Sequence, residues 1–265
     1  GLFALGAAAG ASVLGIATAV LLGVVAGAAL AVFFTERGAV PSAPTSAWEI
    51  HFPGDRRLDV GGRIDPVTIS PDGRWLAYVL DERDDTRLYV RGIDRVEPRV
   101  VEGCEGARHP FFSPDSRWVG FFAREGLYKA PVTGGAPLRL CDAPLDNRGA
   151  SWGPDGELVY ASYASGLWLV PEYGCEPESL TPAGEESGVV QHRWPQFLPD
   201  GRRILVVRQS FEGPRLAIYD LDRRSTRTLA GVQSAAKAVY LPAGYLVLAE
   251  AGELLALRFD VESER

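Results

Sequence analysis

A turn followed by an apolar strand recurs five times along this sequence, and this recurrence limits the fold more than any other feature. Residues 69–79 read ISPDGRWLAYV, and residues 111–122 read FFSPDSRWVGFF. The intervals between the turn prolines are 43, 40, 45 and 43 residues, for Pro71, Pro114, Pro154, Pro199 and Pro242. Each repeat adds a second apolar strand after a polar turn, and most repeats add a short further strand. Four short strands in ~40–45 residues are typical of one blade of a β-propeller.

The chemistry of the first repeat supports this interpretation. In Ser70-Pro71-Asp72-Gly73, proline presets φ at the second turn position and Gly73 can adopt a positive φ. The strand that follows, residues 74–79, is apolar on both faces, so we expect it to be covered on both sides. The central strands of a propeller blade meet that condition, because each blade stacks between two neighbours.

Two resemblances follow from these motifs. SPDGRWLAY and GPDGELVYAS resemble the repeats of TolB-like propellers, a branch of the WD-type families. Longer passages such as HRWPQFLPDGRRIL resemble the region that follows the transmembrane helix in bacterial membrane-anchored serine/threonine protein kinases. The resemblance covers residues 48–265 and implies a ring of the six-bladed type. We therefore predict an all-β chain, a partial propeller of about five four-stranded blades that is incomplete at its C-terminal end.

The segment before the repeats predicts a membrane anchor. Residues 1–34 carry no charge, and ~20 apolar residues suffice to span a bilayer as a helix. A signal peptide is the alternative, although its apolar core is usually only ~7–15 residues long. We assign residues 1–35 to a transmembrane helix, 36–47 to a linker and 48–265 to the propeller. Residues 48–58 are predicted to supply an extra strand that completes a final blade, missing from the five repeats. Two GxxxG spacings in the helix would also allow a homodimer.

Composition excludes some classes of partner and site. The net charge is −7 and the only two lysines are Lys129 and Lys237, which argues against a nucleic-acid partner. Three cysteines form an odd number without CxxC spacing, so no disulfide framework is predicted. The three histidines lack the spacing of a zinc site, and no metal site is predicted.

Two segments resemble functional motifs but lack the structural context that those motifs require. Gly149 to Gly153 satisfies G-x-S-x-G, yet the repeat alignment puts Ser151 within the first strand of a blade and not on a strand–helix elbow. The acidic run at 81–85 lacks the alternating ligands of a calcium loop, so we interpret it as a solvated hairpin turn. Kinase signatures such as H-R-D and D-F-G are also absent from the sequence. We expect no catalytic residues and no cofactor in these residues.

A candidate binding site emerges from the repeat alignment. Six residues before the turn proline stand Arg108, Arg148 and Arg193, and His109 and Trp194 come one residue later. These positions begin the innermost strand of a blade, so the five side chains are predicted to meet at the mouth of the central channel. Guanidinium groups there could hold a carboxylate or phosphate, and the partner would be a protein or a small anionic ligand. The alternative is that each arginine ties neighbouring blades together.

The leading functional hypothesis is a non-catalytic, membrane-anchored sensor or interaction region. The kinase resemblance implies a single-pass parent protein that phosphorylates serine or threonine using ATP and Mg²⁺, with the propeller on the extracytoplasmic side of the inner membrane. Two alternatives stay open. One is a TolB-like protein–protein interaction module of the cell envelope, and the other is the gating propeller of a prolyl-oligopeptidase-like peptidase.

Overall fold

Every regular element described in the structure is a β-strand. The computed structural model describes residues 57–58, 65–82, 85–163, 165–174, 176–181, 191–230, 232, 237–250 and 253–264. The predicted transmembrane helix, the linker and residues 48–56 lie outside these ranges. Within them, no helix has the length and apolar character that crossing a bilayer requires.

The strands form five antiparallel sheets in chain order, as five blades require. The first blade contains β1 (Arg57–Leu58), β2 (Val67–Ile69), β3 (Trp75–Glu82), β4 (Asp85–Gly92) and β5 (Arg99–Val100). The second contains β6 (Arg108–Phe112), β7 (Trp118–Ala123), β8 (Gly126–Pro131) and β9 (Leu138–Asp142). The third contains β10 (Asn147–Trp152), β11 (Glu157–Ser162), β12 (Gly166–Pro171) and β13 (Glu178–Ser179).

The last two blades follow the same plan. The fourth contains β14 (Gln191–Phe197), β15 (Arg203–Ser210), β16 (Gly213–Asp220) and β17 (Ser225–Thr228). The fifth contains β18 (Lys237–Leu241), β19 (Tyr245–Glu250) and β20 (Glu253–Arg258), with three strands among the described residues. The prediction of an all-β propeller with five blades is confirmed.

One strand assignment was wrong. Arg57 and Leu58 belong to the segment expected to complete a final blade beyond the five repeats, but they pair with Asp81 and Leu80 of β3 in the first blade. They lie on the same edge of β3 as β2, which pairs with residues 76–78. The free end of the long strand β3 is thus covered by the chain that immediately precedes it.

The turns have the geometry that their sequence predicts. Gly73, Gly156 and Gly201 adopt φ values of 69°, 81° and 69°, in the region that favours glycine. Ser116 takes the same position in the second turn at φ 60°, and its hydroxyl accepts a hydrogen bond from Asp72 N–H in the first turn. That contact ties two neighbouring blades at their turns.

Apolar side chains fill the space between successive blades. In β3 every residue from Leu76 to Leu80 is at most 2% exposed, which confirms that this strand is covered on both faces. Separate clusters join blades one and two, two and three, three and four, and four and five. The first strand of each blade therefore stands at the inner edge of a stacked sheet.

Candidate functional site

A central channel runs along the first strands of the five blades, β2, β6, β10, β14 and β18. It encloses about 510 Å³. One end, here called the proline end, is surrounded by the turn prolines Pro71, Pro114, Pro154, Pro199 and Pro242. The other end, here called the Trp194 end, is formed by Asp65, His109, Trp194 and Lys237. A cavity of this size is typical of a small-molecule or peptide site.

Bulges in the first strands shape the Trp194 end. In each of β6, β10 and β14, two residues lie opposite one residue of the neighbouring strand. Equivalent positions in these strands have positive φ: 49° at His109, 93° at Gly149 and 55° at Trp194. Glycine adopts this conformation freely, whereas histidine and tryptophan do so at a cost in backbone strain. That strain places two large rings where a regular strand would not.

Trp194 lies across the end of the channel. Its ring centroid is 5.5 Å from that of His109, with an interplanar angle of 61°. A Cβ atom on Gly149 would lie 3.1 Å from Trp194 Cε3, so the indole rests directly on the glycine backbone. The Lys237 ammonium stands 5.2 Å from the indole centroid. The Trp194 side chain, from the fourth blade, thus contacts three other blades.

A polar chain connects the first, second and fifth blades beside this ring. Lys237 Nζ lies 2.6 Å from Asp65 Oδ1, and Asp65 N–H donates to His109 Nδ1 over 3.2 Å. Burial, together with the charges of Arg148, Lys237 and Arg108, lowers the pKa of His109 to about 3. His109 is therefore neutral at physiological pH, and positive charge dominates its surroundings.

The three predicted arginines flank this end without lining the channel wall in the described part of the chain. Arg108 Nη1 donates to Leu145 O, 3.5 Å away on the loop before the third blade. Arg148 Nε donates to Gln191 Oε1 of the fourth blade at 3.3 Å, and its guanidinium lies 5.2 Å from the Tyr163 ring centroid. Arg193 is half-buried in β14, opposite Val207 of β15. The structure thus brings His109 and Trp194 together and gives Arg108 and Arg148 contacts between blades.

The G-x-S-x-G motif is structural in this geometry. Ser151 lies inside β10, and its hydroxyl accepts a hydrogen bond of 3.0 Å from the backbone N–H of Phe197 in the fourth blade. In the next blade Gln196 occupies the equivalent position and bonds both backbone groups of Tyr240. Residues at this position connect one inner strand to the next.

Glu82, in the acidic run near the first hairpin, forms ordinary polar pairs. Glu82 forms an ion pair with Arg87 over 3.5 Å and accepts a hydrogen bond from the Tyr89 hydroxyl. In the described ranges, no group of three or more histidine, cysteine or acidic side chains is placed to hold a metal ion.

The pairing of Asp65 with Lys237 was not found in the sequence. Both residues stand near the start of an inner strand in the repeat alignment, at six and five residues before the turn proline. They are separated by 172 residues in the chain, and only the circular arrangement of the blades brings them into contact. The only sequence signal for this ion pair was one carboxylate and one lysine at these aligned positions.

These features define a TolB-like β-propeller fold with a ligand-sized central channel. A TolB protein from Agrobacterium tumefaciens superposes with a TM-score of 0.58 and 18% identity, over 76% of this chain and 78% of that one. TolB from Acinetobacter baumannii gives the same score and identity, and the match covers 76% of this chain and 52% of that one. This chain therefore spans about half of the Acinetobacter TolB chain.

More distant propellers share the architecture. A puromycin hydrolase mutant solved with a bound PGG ligand has a TM-score of 0.50 and 14% identity, over 69% of this chain and 32% of that one. No protein-family model and no curated protein matches the sequence. At these identities the similarity establishes the fold alone.

Proposed function

We propose that this chain is a non-catalytic binding module whose partner presents an anionic group to the Trp194 end of the channel. One observation carries the proposal: Lys237, Trp194 and His109 converge from three blades on one point of a cavity of about 510 Å³. Ligand sites are commonly concave and apolar with a few converging polar groups, as this one is. The partner is a protein or a small anionic ligand.

Two kinds of cation favour an anion there. The Lys237 ammonium is in the channel wall and its side chain is 37% exposed, so it can reach a ligand. Arg108 and Arg148 stand behind it, and their positive charges add to the effect of burial in lowering the pKa of His109. Asp65 offsets one of these charges, which leaves a positive excess among these four residues. The arginines act through this field while they also tie neighbouring blades.

The sequence resemblance supports a more specific proposal. The parent protein is a receptor-like bacterial serine/threonine kinase, residues 1–34 anchor it in the membrane, and the propeller senses its ligand on the extracytoplasmic side. ATP and Mg²⁺ would then serve a kinase domain that lies before residue 1. This kinase proposal is supported by the resemblance of the blade sequences to those kinases.

Two other contexts suit the same propeller. A TolB-like envelope interaction module would use the channel for a protein partner, and a peptidase would use it to gate substrates. The complete reading frame separates the three. H-R-D and D-F-G upstream would support the kinase, a G-x-S-x-G elbow between strand and helix downstream would support the peptidase, and neither would support the interaction module.

Calorimetry on the full chain in mild detergent tests the binding function. The probes are acidic peptides and phosphorylated metabolites, and the variant carries Arg108→Gln, Arg148→Gln and Arg193→Gln. We expect binding by the wild type and at least a tenfold weaker affinity in the variant, because the field at the Trp194 end is reduced. Arg124→Gln is the control, since that side chain is 70% exposed and pairs with Glu105 on an outer loop. Failure of the wild type to bind any probe would refute the function.

A further inference from the structure

The Trp194 end closes the channel to an extended chain. The indole of Trp194 contacts Gly149 in the third blade, His109 in the second and Lys237 in the fifth. A polypeptide that lies along the inner strands would meet this ring at the Trp194 end. The channel is therefore shaped for the end of a chain and not for a loop that passes through.

The wall between the two ends is uncharged. Asp65 and Lys237 are the only charged residues among the described residues that line the channel. The rest of the wall is apolar, aromatic or neutral, and Val67 and Ile69 of β2 are 42% and 50% exposed within it. Such a surface favours an apolar segment, because a charged side chain would lose its hydration without gaining a partner.

The dimensions also fit a short extended segment. From Asp65 to Pro71 there are six residue steps along β2 and the residues that flank it, or roughly 20 Å at about 3.3 Å per residue if this segment is extended throughout. An extended ligand of about five or six residues would therefore fill the channel from the proline end to Trp194. A free phosphate or single carboxylate would leave most of this wall uncovered.

The charge at the closed end selects which terminus arrives there. Lys237 presents an ammonium at 2.6 Å from Asp65, and Arg108 and Arg148 add positive charge nearby. A terminal ammonium would be repelled by this excess, whereas a terminal carboxylate would be attracted to it. Capture of a C-terminal carboxylate is an established mode of peptide recognition.

We propose that the channel binds the C-terminal tail of a partner protein. The tail enters at the proline end as an extended apolar segment, and its terminal carboxylate binds the Lys237 ammonium beside the face of Trp194. This proposal rests on the proposed binding function and names its partner class. It assigns Lys237 as the residue that recognises the carboxylate and Trp194 as the stop that limits the length of the tail.

A pair of peptide libraries tests the proposal on the full chain in mild detergent. N-acetylated pentapeptides built from Ala, Leu, Val, Phe and Pro are prepared once as free acids and once as C-terminal amides. Peptides retained on the immobilised protein are identified by mass spectrometry, resynthesised and titrated by calorimetry. We expect binders among the acids and at least a tenfold loss of affinity when the same sequence carries an amide.

Two substitutions separate recognition from folding. Lys237→Gln removes the ammonium and should weaken the acids at least tenfold while the amides are unaffected. Asp65→Asn is the matched control, because it breaks the same ion pair but keeps the ammonium, so acid binding should persist or strengthen. A melting curve for each variant shows that it is folded before its affinity is interpreted.

The outcomes distinguish this proposal from the binding function. Equal affinity for acids and amides, or a loss in Asp65→Asn as large as in Lys237→Gln, would overturn the tail proposal and leave the binding function standing. Retention of only phosphorylated metabolites or internal acidic peptides would also overturn it. If no peptide and no anion binds, both proposals fail.

Discussion

At the scale of single residues, backbone conformation determines the candidate site. His109 and Trp194 occupy equivalent positions in β6 and β14, and both adopt a left-handed backbone at φ 49° and 55°. Gly149, the equivalent residue of β10, leaves the space into which Trp194 fits. Because this repeat position holds histidine, glycine and tryptophan in successive blades, the Trp194 indole can contact several blades.

Ser151 provides the first prediction. Its hydroxyl accepts the Phe197 N–H at 3.0 Å between two inner strands, so Ser151→Ala removes one hydrogen bond and leaves the N–H of a buried residue without this acceptor. We expect a loss of about 1 kcal/mol in the free energy of unfolding, measured by urea denaturation. Ser179→Ala, at an exposed position in β13, is the control and should change stability little. A wild-type level of stability in Ser151→Ala would contradict the assigned structural role.

The residues of the site show what could be predicted from sequence. Their repeat positions could be read from the sequence, because the turn proline gives each blade a fixed origin. Their contacts could not be read in the same way, since a bulge of one residue changes the direction of a side chain and no local pattern in the sequence specified the bulge. Arg148 was predicted at the mouth of the channel, and its Nε donates to Gln191 in the next blade. Distances across the ring, such as Asp65 to Lys237, depend on all five blades at once.

At the scale of strands and blades, the inner strands are held together by a position that repeats. Phe111, Ser151 and Gln196 each stand three residues before their turn proline. Ser151 and Gln196 make hydrogen bonds to the next inner strand, whereas Phe111 packs edge-to-face against Trp152 at 6.4 Å. Polar and aromatic residues therefore perform the same connecting role, which explains why chemical identity at this position varies while spacing does not.

Gly120 tests how tightly the second and third blades pack. A Cβ atom at Gly120 in β7 would stand 2.3 Å from Phe111 Cζ, and the Phe111 ring is itself buried between the blades. Gly120→Ala should therefore lower stability by about 1–3 kcal/mol through overpacking, as measured by thermal and chemical denaturation. At Gly153, in the turn after β10, a Cβ atom would lie farther from an aromatic ring, at 3.1 Å from Phe197 of the next blade, so Gly153→Ala should cost less.

A second substitution makes the cause of this loss specific. Phe111→Leu shortens the side chain that blocks the new methyl group, so the double variant should lose less stability than the two single variants added together. Additive losses would show that Gly120 matters for its backbone and not for the space it leaves.

At the scale of the whole molecule, the fold predicted from the repeats was correct because its signal is distributed. Each of five turns, spaced by 40 to 45 residues, independently indicates one blade of the same type. The loss of aspartate from the fifth turn therefore did not obscure the repeat. The placement of residues 57–58 was wrong for the opposite reason, since this pair has no repeat partner and its pairing depends on which edge of a blade is free.

Buried histidines give the whole molecule a predicted pH dependence. Burial is the main cause that lowers the pKa of His109 to about 3 and that of His192 to about 4, both from an ordinary value of 6.5. Between pH 6.5 and the lowered pKa of each histidine, the unfolded chain binds protons that the folded chain does not. The free energy of unfolding is therefore highest above pH 6.5 and falls as the pH decreases. The slope should approach about 1.4 kcal/mol per pH unit for each histidine, followed by urea denaturation from pH 7 to pH 4.

Substitution isolates the histidine contribution. Asparagine tolerates a left-handed backbone, and its amide oxygen can accept the Asp65 N–H, so His109→Asn preserves both features of the site. The double variant His109→Asn, His192→Asn should show a clearly flatter profile over this range. Asp72, Asp115 and Asp200 have lowered pKa values and contribute only below about pH 4, outside the window. An unchanged slope in the double variant would exclude the histidines as the cause.

The ion pair between Asp65 and Lys237 tests whether the first and fifth blades support each other. The two side chains are 31% and 37% exposed, so solvent screening should limit their coupling to about 0.5–1 kcal/mol in a double-mutant cycle of Asp65→Asn and Lys237→Gln. Hydrogen exchange gives the sharper measurement. Because the pair joins blades that are far apart in the chain, each single variant should accelerate amide exchange in both β2 and β18 and leave β10, in the middle of the array, protected. Faster exchange confined to the mutated blade would mean that the two blades open independently and that the pair contributes nothing to the ring.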